Sequence, residues 1–237
     1  MIVYGKNVFS IIEEDPQTIE KIYIQKGIRD QKLVKRVQNL NKDIQFVPRP
    51  KLDQLAQDSH HNGICIQVQD IPTYDLDTLL NQAKNPGLLV ALDGIQDPHN
   101  LGAILRTCDC VGVDGVILCK HNSVGLTPTA IKASTGAAYT IPVSTVTNLK
   151  NALVTCKEKG YWIVGSDMEQ ARDYRQGIYD VPVVLVIGSE GKGISSLVKK
   201  QCDYMVKLPM EGKISSLNAS VACAVLLYQI HQNRHPL

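Results

Sequence analysis

The residue types best suited to chemistry crowd into the last third of the chain. Gly188, Glu190, Gly191, Lys192 and Gly193 follow the apolar run Pro182 to Ile187, and Ser215, Ser216 and Asn218 lie between Leu208-Pro209-Met210 and a second apolar stretch. The first run is β-branched and uninterrupted, which predicts a strand buried on both faces, as in a parallel sheet. Glycines at its carboxyl end permit tight turns and leave backbone amides free to meet a ligand, where open α/β sheets bind small molecules. Two phosphate-binding patterns fail at this loop. Gly188-x-x-Gly191-x-Gly193 inverts the dinucleotide spacing, and Gly191-Lys192 lacks the upstream glycine and following Ser or Thr of a P-loop.

A further candidate pair sits upstream. In Leu92-Asp-Gly-Ile-Gln-Asp-Pro-His-Asn100-Leu-Gly-Ala-Ile-Leu-Arg106 a strand ends near Asp93 and a helix is expected from Asn100 to Val111. Asn100 is either an N-cap, the commoner role for Asn there, or a functional amide. Arg106, set among Ala103, Ile104 and Leu105, is expected to need an anionic or polar partner.

The elements that must position these groups alternate. From Leu88 onward, strand and helix patterns succeed each other, which means a mostly parallel sheet with helices on both faces. The closing helix after Asn218, expected to run to about Gln232, is apolar almost all round. It is either a buried core helix or one that faces its sheet on one side and a second subunit on the other. Met1 to about Val68 reads as a smaller α/β unit, opening with a helix from Lys6 to Glu14. The expected division is residues 1–70 as this front unit, 71–86 as linker and leading helix, and 87–237 as the larger domain; the resemblance set out below implies substrate binding for the first and catalysis for the last.

With 237 residues and 44% hydrophobic content the chain can bury a sizeable core. No apolar run approaches the ~20 residues of a membrane span. The start, MIVYGKNVFSIIEED, has neither signal nor transit-peptide character, so the expected location is the cytoplasm, with no membrane partner. Seven cysteines in no C-x-x-C pair and six histidines without ligand spacing give no expectation of a metal or a disulfide framework.

The net charge of +2 hides an asymmetry, since nine basic residues stand against Asp30 and Asp43 between Lys21 and Lys51. Such a patch suits a phosphate backbone, with Lys26, Arg29, Lys32, Lys35 and Arg36 as candidate RNA contacts. A solvated helix face is the equal alternative.

Three blocks in this order resemble the SpoU/TrmH family of ribose 2′-O-methyltransferases, in the SPOUT superfamily. They are Asn100-Leu-Gly102-Ala-Ile-Leu-Arg106, then Ile187-Gly188-Ser-Glu190-Gly191-Lys-Gly193-Ile, then Leu208-Pro209-Met210 with Ser215-Ser216-Leu217-Asn218-Ala-Ser220-Val-Ala222. The front unit, starting VYGKNVFSII, is similar to the L30e-like domain ahead of the catalytic domain in RlmB-type 23S ribosomal RNA guanosine-2′-O-methyltransferases. The resemblance implies a Rossmann-like sheet with a C-terminal trefoil knot, a homodimer, and ribosomal RNA as substrate. Transfer RNA, or a non-catalytic RNA-binding role, are the rival readings. It implies Asn100, Arg106, Glu190, Ser216 and Asn218 as the catalytic set. It also implies S-adenosylmethionine bound by Ile187, Gly188, Glu190, Gly191, Leu208, Pro209, Met210, Ser216 and Leu217, with Gly136 nearby. Arg106 would serve either as base or as a charged stabiliser, and Glu190 could instead be a solvent-facing acid.

Overall fold

The computed structural model describes residues 1–167 and 171–236. Its front part is a four-stranded sheet built from β1 (Ile2–Tyr4), β2 (Ile19–Gln25), β3 (Asp43–Val47) and β4 (Ile64–Val68), in the order β1-β4-β2-β3. Helices α1 (Lys6–Ile12), α2 (Gln31–Gln38) and α3 (Arg49–Ala56) cover it. The short strand β1 escapes the sequence pattern because it spans three residues and takes its register from β4, a distant segment. Helix α1 stops at Ile12, short of Glu14.

Behind it lies α4 (Leu76–Gln82) and a seven-stranded sheet, β5 (Leu88–Asp93), β6 (Gly115–Cys119), β7 (Val143–Val146), β8 (Trp162–Ser166), β9 (Arg172–Asp173), β10 (Val183–Gly188) and β11 (Tyr204–Lys207). The order is β7-β6-β5-β10-β8-β11-β9, and all its recorded pairings are parallel. Helices α5 (Pro98–Val111), α6 (Pro128–Ala133), α7 (Leu149–Glu158), α8 (Ser196–Lys199) and α9 (Ala219–Arg234) complete it.

Alternation along β5 shows how both faces are filled. Val90 and Leu92 pack with Leu101, Ile104 and Leu226 on one face, whereas Leu89 and Ala91 pack with Leu79, Leu153 and Val198 on the other. The central pair β5 and β10 is the topological switch: from β5 the chain winds outward through β6 and β7, while β8 and β11 lie beyond β10. Loops leaving the carboxyl ends of β5 and β10 therefore part company and open a crevice.

Residues 71–86 are tied down rather than loose, since the Tyr74 amide donates to the Val143 carbonyl (2.9 Å) and Leu79 is wholly buried. The front unit docks on α6. Lys132 reaches across to donate to Asn62 Oδ1 at 2.9 Å, and its ammonium lies 5.6 Å from the Tyr4 ring centre.

Candidate active site

A cavity of about 350 Å³ opens at the carboxyl edge of the large sheet. Three stretches distant in sequence line it: Ile187 to Gly191 with Gly193, then Leu208 and Met210, then Ser215 to Leu217 followed by Ala219 and Ala222 on α9. Ser166 and Asp167, at the end of β8, complete the wall, and Asp167 is ion-paired with Lys199. The loop after β10 folds back on its own strand, because Ser189 and Gly193 exchange two backbone hydrogen bonds (3.2 and 2.9 Å). A Cβ on Gly188 would stand 2.1 Å from the Gly193 carbonyl carbon, so only glycine fits there.

Beside this cavity three side chains meet, from the first turn of α5, the loop after β10 and the cap of α9. Asn218 Nδ2 donates to Asn100 Oδ1 (2.9 Å) and to Glu190 Oε1 (2.5 Å), and Asn100 Nδ2 donates to the same Glu190 oxygen at 3.1 Å. Asn218 Oδ1 meanwhile caps α9 by accepting from the Ser220 and Val221 amides (2.9 and 3.3 Å). The N-cap of α5 is Asp97, whose Oδ1 accepts from the His99 amide at 2.9 Å. Asn100 therefore lies inside that helix, 6% exposed, and spends its amide on the cluster. A buried amide needs such partners. Glu190 is solvent-exposed and hydrogen-bonded at once, so the carboxylate is held in one orientation.

The structure thus brings together Asn100, Glu190 and Asn218, and places Ser216 on the cavity wall with Ile187, Gly188, Gly191, Leu208, Met210 and Leu217. Pro209 is carried by the same loop with its own ring exposed. Two of the expected residues stand apart from this wall. Arg106 lies on the solvent side of α5, because Leu101, Ile104, Leu105 and Cys108 occupy the core side. The residue is exposed, and its guanidinium has no hydrogen-bond or ion-pair partner among the described residues. Gly136 does not line the cavity; it sits at the junction with the front unit, where its φ of +105° and the 2.6 Å from its notional Cβ to Ile11 Cγ1 demand glycine.

At the front unit, Lys26, Arg29, Lys32 and Lys35 are exposed. Arg36 is engaged instead: it pairs with Glu13, donates to Ser10 Oγ at 2.8 Å, and stacks 5.2 Å from the Phe9 ring centre. Arg29 joins Lys6, Arg49 and His60 around a cavity of about 460 Å³, a grouping that sequence separation conceals. His61, 1% exposed, is a structural residue whose Nδ1 accepts from the Gly63 amide at 2.9 Å and whose Nε2 faces Asp53 at 3.1 Å.

An apolar, glycine-cornered cavity with a carboxylate at its mouth suits a small cationic organic cofactor better than a polyanion. Comparison with known proteins agrees. Residues 87–228 match the model of the SpoU rRNA Methylase family, and residues 2–88 match that for RNA 2′-O ribose methyltransferase substrate binding. A putative TrmH family tRNA/rRNA methyltransferase of Staphylococcus haemolyticus is 44% identical over 241 residues, covering 99% of this chain and 96% of that protein. The putative TrmH family tRNA/rRNA methyltransferase YacO of Bacillus subtilis is 41% identical over 241 residues, with the same coverage of 99% and 96%. Among solved structures, the SpoU methyltransferase AviRb from Streptomyces viridochromogenes in complex with AdoMet shares the fold, with a TM-score of 0.85, 24% identity, and coverage of 99% of this chain and 90% of AviRb.

Fold, cavity and likeness together define an S-adenosylmethionine-dependent RNA methyltransferase. The chain belongs to the SpoU, or TrmH, methyltransferase family.

Proposed function

We propose that the enzyme methylates a ribose 2′-hydroxyl, with a guanosine of 23S ribosomal RNA as the target, using the cavity after β10 to hold the methyl donor. The observation that carries this reading is the Asn100–Glu190–Asn218 cluster, assembled from three stretches distant in sequence at the mouth of that cavity. Leu208, Met210 and Leu217 supply the apolar surface for the adenosine, and Ser216 orients the methionine end. Bound there, S-adenosylmethionine supplies an activated methyl group on a sulfonium. The acceptor oxygen gains the bond to carbon, the sulfur keeps the electron pair of the broken bond, and the hydroxyl proton passes to water.

Glu190 places negative charge beside the cationic donor, and the two amides keep that carboxylate from turning away. Alignment is the main contribution, since the leaving group is already good. Arginine stays protonated in proteins, and nothing buries Arg106. We therefore assign it the charged role of binding the neighbouring phosphate and stabilising the developing alkoxide, rather than that of base.

We further infer a homodimer. Helix α9 buries Cys223, Leu227 and Ile230 but leaves Val221 (47% exposed), Val225 (37%) and Tyr228 (55%) as an apolar stripe on its outer side. A second copy of the helix would cover it and bring one subunit's exposed Arg106 toward RNA held by the other. The knot expected from the family belongs to the same proposal.

Transfer RNA is the second reading, supported by the likeness to the A. aeolicus TrmH/SpoU tRNA modifying enzyme (29% identity, TM-score 0.57, 67% of this chain and 80% of that one). Mapping 2′-O-methyl groups on ribosomal and transfer RNA from cells with and without the gene tests both. A site lost from 23S ribosomal RNA is expected; methylation of a base, or loss confined to transfer RNA, would overturn the corresponding part.

A further inference from the structure

Lys132 belongs to α6, yet its side chain ends against the front unit. Among the described residues its ammonium has one hydrogen-bond acceptor, Asn62 Oδ1 at 2.9 Å, and it lies 5.6 Å from the ring centre of Tyr4, itself 2% exposed. A Cβ on Gly5 would stand 2.2 Å from Lys132 Nζ and push the ammonium out of this seat. Burial pulls the Lys132 pKa down, and Asp58 opposes that shift. No ion pair joins residues 1–70 to residues 71–236 among the described residues.

A cation that gives up water for one amide oxygen and one ring face is a poor adhesive. Apolar contact already joins the units, since Val8, Phe9 and Ile12 of the front and Ala130, Ile131 and Ala138 of the rear belong to one buried cluster. What a half-buried polar contact adds is register, because only one seating of the two units satisfies it.

The contact has a functional element on either side. At the front, Asn62 (φ +54°) lies in the loop between α3 and β4, whose Ser59 and His60 border the cavity shared with Arg29 and Arg49. Tyr4 is tied to the same loop: its hydroxyl donates to Asp58 Oδ2 at 3.0 Å, and Asp58 Oδ1 accepts from the His60 amide at 2.9 Å. At the rear, α6 is seated on α5 without slack. A Cβ on Gly102 would stand 2.5 Å from Ala133 Cβ and 2.6 Å from the Ala130 carbonyl oxygen. Helix α5 carries Asn100 of the cluster and the exposed Arg106.

We propose that Lys132 is a positioning residue that locks the front unit in one register on α6, so that RNA gripped by the front cations reaches the methyl donor at a fixed offset. The inference rests on the reading of Lys26 and Arg29 as RNA contacts. Two binding surfaces held rigidly meet one RNA at a high effective concentration, and a loosened joint lowers it without touching either surface.

The test uses the full-length enzyme and two RNAs carrying the mapped position: a long fragment, and one trimmed until Lys26→Ala with Arg29→Ala no longer changes KM. Lys132→Met keeps the alkyl stem and removes the charge. It is expected to raise KM about tenfold for the long RNA. KM for the short RNA, kcat on both, and S-adenosylmethionine affinity by calorimetry should stay as in the wild type. Asn62→Gly removes the acceptor from the other side of the joint and keeps the positive φ. It should match Lys132→Met, and the double variant should be no worse than either single one. Asn62→Asp retains an acceptor and should keep the wild-type KM. If Lys132→Met does not fold, Asn62→Gly, at an exposed position, carries the measurement. Equal losses on both RNAs, an unchanged KM on the long one, or additive effects in the double variant overturn the lock. If Lys26→Ala with Arg29→Ala leaves KM unaltered even on the long RNA, the premise that the front unit grips RNA fails, and the lock with it.

Discussion

The loop ends of the two sheets solve opposite problems with similar residues. At the large sheet, Asn100, Glu190 and Asn218 satisfy one another, and Asn218 also caps a helix, so each polar group is fixed before any ligand arrives. At the small sheet, Lys26, Arg29, Lys32 and Lys35 are left to solvent. The difference follows from the ligand each end has to meet. A small cation in an apolar cavity is held by shape and by a carboxylate that does not move, since preorganised dipoles cost no reorganisation in the reaction. A long polyanion is held by summed charge, for which flexible, hydrated cations suffice.

The sharpest way to break this contrast is Arg106, the one cation in the proposed catalytic set and exposed like those of the small sheet. Arg106→Ala is expected to lower kcat by about 10²–10³, the usual cost of removing a charge-stabilising donor, with S-adenosylmethionine binding intact. Arg106→Lys should recover part of it, because an ammonium keeps the charge and loses the bidentate fork. Single-turnover kinetics at saturating RNA makes the measurement; near-normal rates for Arg106→Ala would remove this residue from the mechanism.

Next in size is the cluster itself. Asn218→Ala removes the α9 cap, at a cost of about 1 kcal/mol, and frees Glu190 and Asn100 from a shared partner. Asn218→Asp keeps the cap and sets a second carboxylate against Glu190. If fixed orientation is what matters, both variants should lose at least about tenfold in kcat while only the alanine variant loses measurable thermal stability. Equal activity losses with equal stability losses would point to folding alone.

Smaller again is the effect at the other end. Lys26→Ala with Arg29→Ala should raise KM for RNA several-fold, reduce the salt slope of binding by about 1.5–2, and leave kcat unchanged. Arg36→Ala is the control: its guanidinium already serves Glu13 and Ser10, so the loss should appear as stability rather than as salt dependence.

How much of this was legible beforehand tracks the range of the interactions. The buried parallel strands β5 and β10 are plain in sequence because uninterrupted apolar runs carry that information locally. The cavity loops are likewise marked by their glycines. What the sequence hides is the side of a helix on which a residue ends up when neighbours differ by one position, as with Arg106 between Leu105 and Thr107. It also hides which distant glycine meets which side chain. The resemblance implies Gly136 near the cofactor; the side chain it meets in the structure is Ile11 of the front unit. The Arg29–Arg49–His60 grouping and the Lys132–Asn62 contact are equally products of tertiary proximity.

The smallest expected effect concerns pH at the small-sheet end. Asp30, cap of α2, is held below the usual carboxylate range first by the Lys6 hydrogen bond (2.7 Å) and then by the Leu33 amide (3.0 Å). Asp58 is held low chiefly by the His60 amide, at 2.9 Å. A carboxyl group whose folded value lies below its unfolded one, about 3.9 for Asp, adds stability that is complete above that unfolded value and disappears as pH falls through the folded one. The front unit should therefore loosen as pH drops below about 4, and Asp30→Asn should flatten that dependence while retaining the helix cap. Hydrogen exchange at the α2 amides between about pH 5 and 3 reads it directly. A dependence as steep in Asp30→Asn as in the wild type would show that the Lys6 pair does not set the acid response of this end.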